Sequence, residues 1–152
     1  MDNLILLLGV VLFVIAAYGD VKTLRIPNWL VGTVAALGVV RLIVIGDPTV
    51  ALYTTCASII IFVVTFLLFW RGLIGGGDAK LMTATVLLIG YYSVFNFLLL
   101  MSICGLLVST AILVKHRSFE HPQSKARLAV PYGTAIAGGA IVTLLFQTSF
   151  LG

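Results

Sequence analysis

Between Leu81 and Val114 the chain runs for 34 residues without a charged side chain. Eighteen or more apolar residues with few or no charges read as a transmembrane helix, and about 25 is the upper end for a single span. One helix cannot use the whole run. Gly90-Tyr91-Tyr92-Ser93 is its most turn-like point, so the run divides into a short helix over about Asp78 to Ile89 and a longer one beyond it. The rest of the 152 residues is of the same kind: 61% are hydrophobic and 9% charged, against roughly 45–50% and about 25% in soluble domains. So few charges cannot clothe a water-exposed surface of this size. A soluble enzyme, a disordered tail and a secreted disulfide scaffold are excluded.

Four further spans follow from the charge-free runs. The first covers Asn3 to Gly19 and is preceded by Asp2, without the basic flank of a signal peptide, so it is expected to be retained. The second runs from about Pro27 to Ile45, with Pro27 suited to a first helical turn and Arg41 near enough to its end to snorkel. Gly46-Asp47-Pro48 forms a turn. The third covers about Thr49 to Trp70, and a glycine-rich break spans Arg71 to Gly77. After the divided run, a polar stretch from Lys115 to Arg127 leads to a last span over Leu128 to Phe150. The expected fold is all-α: a polytopic integral membrane protein with six transmembrane helices forming one domain over residues 1–152.

Six spans place Lys22, Arg25, Arg71, Lys80, Lys115, Arg117, Lys125 and Arg127 on one side, eight of the nine Lys and Arg. The positive-inside rule puts that side in the cytoplasm and both termini outside. Tyr18, Trp29 and Trp70 then fall near the inner boundary and Tyr53, Tyr91 and Tyr92 near the outer one, as an interfacial belt would. The basic residues form no single stripe, so the net charge of +4 fits topology and lipid, not nucleic acid. Cys56 and Cys104 have no CxxC spacing, which excludes a zinc ribbon or redox pair; both read as small buried hydrophobes. No metal-ligand cluster and no internal repeat is visible.

Of the five acidic residues, Asp2, Asp47 and Glu120 read as surface charges, and His116 and His121 as parts of a solvated loop. Asp20 and Asp78 differ. Asp20 closes the first span and Asp78 opens the fourth, and two crossings between them return the chain to the same face. Asp78 alone could be a helix cap. The preceding Gly75-Gly76-Gly77, however, leaves room for an extended peptide beside its backbone, which a cap does not require. Two carboxylates in a partly dry site share one proton, giving a general base and a general acid. Such a pair can activate water against a peptide carbonyl and protonate the leaving amine.

Three elements resemble a known family. Gly75-Gly76-Gly77-Asp78-Ala79-Lys80-Leu81 is similar to the GxGD-x-K-L motif of prepilin peptidases. Asp20 followed by Arg25-Ile26-Pro27-Asn28 resembles that family's first catalytic segment. Val130-Pro131-Tyr132-Gly133 resembles its P-Y-G element. The three stand in the family's order and span nearly the whole chain. The resemblance implies an aspartic membrane endopeptidase of the bacterial inner membrane that removes the short basic leader of type IV prepilins and pseudopilins at the cytoplasmic face. It needs no cofactor. It gives Asp20 and Asp78 the catalytic roles and makes Gly75, Gly76, Gly77, Lys80, Arg25, Pro27, Asn28, Pro131, Tyr132 and Gly133 supporting positions. Long family members carry an extra cytoplasmic domain with CxxC pairs and also methylate. Here the loop after the first span is short and has no cysteine, so the chain looks like the peptidase-only type of tight-adherence (Flp) pili.

Presenilin-like proteases also use GxGD, but the R-I-P-N and P-Y-G elements argue against them. A small transporter or proton channel could use the aspartates as an ion relay, and such proteins often show an internal repeat. A non-catalytic assembly subunit is the third alternative. Loss of a prepilin leader separates all of them from a peptidase.

Overall fold

The computed structural model describes residues 2–23, 26–118 and 132–150, and side chains within these except at 115–118 and 150. Arg25, Glu120, His121, Lys125, Arg127 and Pro131, together with the expected first turn of the last span, lie outside the described residues, as do the side chains of Lys115, His116 and Arg117. Among the described residues six α-helices follow one another: α1 (Asp2–Thr23), α2 (Asn28–Ile45), α3 (Pro48–Trp70), α4 (Gly76–Ile89), α5 (Val94–Ser118) and α6 (Tyr132–Phe150), with one 3-10 turn at Tyr91–Ser93. Four segments among the described residues, α1, α2, α3 and Tyr91–Val114, are long and apolar enough to cross a membrane; α4 and the described part of α6 are not among them. At 14 residues, α4 is roughly 21 Å long, well short of the ~30 Å hydrocarbon core of a bilayer.

The helix ends have local causes. Gly46 ends α2 in the left-handed conformation at φ 69°, and its N–H reaches the Leu42 carbonyl at 3.1 Å. Asp47 then caps α3: its Oδ1 accepts the Thr49 hydroxyl at 2.6 Å and the N–H groups of Thr49 and Val50 at 2.8 and 3.4 Å. The Thr49 hydroxyl and N–H hold this carboxyl below the usual carboxylate range. Pro48 occupies the first helical position. The long uncharged run breaks at Gly90, at φ 83° and ψ 159°, a conformation open essentially to glycine alone. Pro27 stands one residue earlier than expected, as the residue before α2.

α4 is the interior helix. It packs against α2, α3 and α6, while α1 lies on α6 and α2, and α5 on α6. Leu81, Val86 and Leu88 of α4 are fully buried with Leu6, Phe13, Leu30, Val34, Ile136 and Leu144. Glycine brings backbones together at two crossings. A Cβ at Gly38 would stand 2.9 Å from the Leu87 carbonyl carbon, and one at Gly139 would stand 2.6 Å from the Met101 nitrogen. The outward faces of α1, α2, α3 and α5 expose large apolar side chains, Leu4, Val11, Ile43, Ile60 and Leu107 among them. Cys56 is exposed on such a face of α3, against the expectation of burial, whereas Cys104 meets Gly138 at the α5–α6 contact.

Arg41 does not snorkel. It is 7% exposed, and its Nε donates to Asp2 Oδ1 at 2.7 Å while Nη1 donates to the Leu88 carbonyl at 2.6 Å. Asp2 is therefore an ion-pair partner and not a plain surface charge. Gln147 Nε2 donates to the next carbonyl, Ile89, at 2.7 Å, and to Ser93 Oγ at 2.6 Å. Side chains of α2 and α6 thus satisfy the carbonyls left open where the interior helix stops.

Candidate active site

The other end of α4 carries Asp78, third residue of the helix after Gly76 and Gly77. Gly75, the residue before the helix, lies beside the Asp78 carboxyl. The glycine matters sterically. A Cβ at position 75 would stand 2.8 Å from Asp78 Oδ2.

Asp20 comes to the same end from α1 and is 4% exposed. Its Oδ2 accepts the Thr134 backbone N–H at 2.7 Å and the Thr134 hydroxyl at 3.1 Å. Thr134 is the third residue of α6, so its N–H is one of the donors a helix start leaves without an intrahelical partner. A carboxylate from α1 fills the place of an N-cap side chain, where the helix dipole favours negative charge. Gly133 makes this possible, since a Cβ there would stand 2.7 Å from Asp20 Cγ. Each aspartate is thus seated on the start of a helix.

Ile26 lies between these seats. Its Cβ is 3.4 Å from the Cβ position of Gly77, and its Cδ1 is 2.9 Å from that of Gly133. The expectation that the glycine run leaves room for a peptide therefore needs correction. Gly77 faces Ile26, and Gly76 faces the Phe69 ring, with Cε2 3.1 Å from its Cβ position. Only Gly75 is itself exposed. Among the other supporting positions, Lys80 Nζ donates to Asn28 Oδ1 at 3.4 Å, tying α4 to the start of α2. Pro27 accepts the Leu30 N–H at 3.1 Å. Tyr132 opens α6 at 43% exposed. Arg25 and Pro131 fall outside the described residues.

Thr134 and the packing role of Ile26 were not anticipated from the sequence. The available signal was a hydroxyl residue in the first turn of a helix, directly after Pro-Tyr-Gly. A cavity of about 730 Å³ opens at the opposite end, lined by Arg41, Leu88, Gly90, Asn96 and Gln147 among others. Neither Asp20 nor Asp78 lines it, and the placement of paired carboxyls is the better guide to chemistry than the size of a hollow. Among the described residues there is no group of three His, Cys, Asp or Glu side chains able to hold a metal ion.

The type IV leader peptidase family matches the chain over residues 6–110, a segment that includes Asp20 and Gly75 to Lys80 and stops before α6. No curated protein and no solved structure matches it. The chain belongs to the type IV leader peptidase family, which implies a protease acting on protein substrates such as pilin precursors.

Proposed function

We propose that this chain is an aspartic endopeptidase of the bacterial inner membrane, with Asp20 and Asp78 as its catalytic pair and the leaders of prepilins and pseudopilins as its substrates. The observation that carries the reading is the pairing itself. In a chain of this family, Asp20 from the end of α1 and Asp78 from the start of α4 come to one end of the bundle, where Ile26 lies against both Gly77, beside Asp78, and Gly133, beside Asp20. The pair shares one proton. One carboxylate takes a proton from water as its oxygen attacks the scissile carbonyl. The other gives its proton to the departing nitrogen as the C–N bond breaks, which leaves the pair with one proton again.

Eight of the nine Lys and Arg fall on one side of a six-span reading of the sequence, which supports a site at the cytoplasmic face with the termini outside. In this reading α4 and α6 complete the membrane domain alongside the four long apolar segments. The short first loop, which lacks cysteine, supports the peptidase-only, Flp-pilus type. The test is leader loss from a prepilin incubated with the purified protein. Asp20→Asn and Asp78→Asn should each abolish cleavage while the protein still inserts. Near-normal cleavage by either variant overturns the assignment.

A further inference from the structure

We propose that Thr134 is the positioning residue for the Asp20 carboxyl, and that its hydroxyl, not only its backbone, sets the catalytic orientation. This rests on the peptidase reading above. Thr134 lies beyond the matched segment 6–110, and what singles it out is geometry. Thr33, Thr55, Thr85 and Thr143 each turn the hydroxyl onto a carbonyl four residues earlier in their own helix. Thr134 donates instead to a carboxyl 114 positions away, and its N–H and hydroxyl converge on the same oxygen, Oδ2.

The consequence follows from the softness of the carboxyl. The terminal torsion of an Asp side chain is broad and roughly two-fold, so a single donor leaves the plane of the carboxyl free to rock. Two donors meeting on one oxygen hold that oxygen, and with it the carboxyl plane, more firmly. Asp20 is 4% exposed, so water is poorly placed to replace a lost hydroxyl, and deleting one partner of a buried charged hydrogen bond is costly. Gly133 on one side and Ile26 beside it complete the seat. Any residue but proline at 134 would supply the N–H; only Thr or Ser supplies both donors in this place.

The test compares Thr134→Val, Thr134→Ala and Thr134→Ser in the full-length protein in detergent. Val and Ala should lower kcat for prepilin cleavage by about 10- to 100-fold, the range for one hydrogen bond to a charged group. KM should stay within about threefold, and Ser should retain most of the rate. A contact that only stabilised the fold would move the melting temperature without this split and without rescue by Ser. An independent readout is the ¹³Cγ resonance of Asp20 in aspartate-labelled protein, identified by its loss in Asp20→Asn. It should shift in Val and Ala and return in Ser. The proposal is overturned if Val and Ala both keep kcat within about twofold of wild type, if Ser loses as much as they do, or if the resonance does not respond. A wild-type protein that leaves prepilin uncut refutes the peptidase reading instead, and the resonance then still decides the contact.

Discussion

Replacing Gly133 with alanine adds one methyl group at the most crowded point of the site. That Cβ would lie 2.7 Å from Asp20 Cγ, 2.9 Å from Asp20 Oδ2 and 2.9 Å from Ile26 Cδ1. Carbon atoms in good contact are about 3.5–4.0 Å apart, so the carboxyl must retreat by roughly 0.8 Å. Ile26 can swing its terminal methyl aside; the carboxyl has less freedom, because it is held from α1. A retreat of that size stretches the 2.7 Å bond from Thr134 N–H to about 3.5 Å, beyond the ~3.2 Å limit of a normal N–H···O bond. Misplacing a catalytic group by about 1 Å costs on the order of 100-fold in rate, and overpacking typically costs about 1–3 kcal/mol of stability. The assay is kcat/KM for prepilin cleavage beside a melting curve. Gly19→Ala is the matched control, since the same methyl one residue before Asp20 meets nothing within 4 Å. If Gly133→Ala cleaves within about threefold of wild type, the seat described for Asp20 is wrong.

Arg41→Met should lower stability by about 2–3 kcal/mol, the scale of hydrogen bonds to a charged group, since it strips partners from Asp2 and the Leu88 carbonyl; an unchanged melting temperature in detergent would refute this. Labelling sites within residues 116–123 should report the cytoplasm and both termini the outer face; a cytoplasmic N-terminus would break the proposed topology. Cleavage should follow a bell-shaped pH profile and fall on the alkaline side once the pair has lost its shared proton. A rate still climbing at about pH 10 would sink the shared-proton mechanism.

What the sequence made legible was whatever depends on neighbours along the chain. Charge-free runs located the helices, and Gly90 located the break between α4 and α5, because a span length and a φ > 0 residue are local properties. Asp20 and Asp78 stood out because acids are rare in such a chain and lay beside recognisable motifs. The misreadings that bear on the buried ion pair and the site involve partners distant in sequence. Arg41, near a helix end, looks free to reach water until Asp2, 39 residues away, is seen beside it. Gly77 looks like open backbone until Ile26 is found against it. Thr134 has no periodicity or motif of its own, and its meaning is carried by an oxygen 114 positions earlier.

Helix α4 also behaves as a strut between the two ends of the molecule. Its start bears Asp78, while its last carbonyls are pinned by Arg41 and Gln147. A rod fixed at one end sets the height of whatever it holds at the other. Each residue of helix advances about 1.5 Å along the axis, and catalytic groups must be held to within about 0.5 Å, so a slip of a single residue at the far end would carry Asp78 out of range of Asp20. In the proposed reading the Asp2–Arg41 pair, at the opposite end of α4 from Asp78, is a depth gauge for the cut.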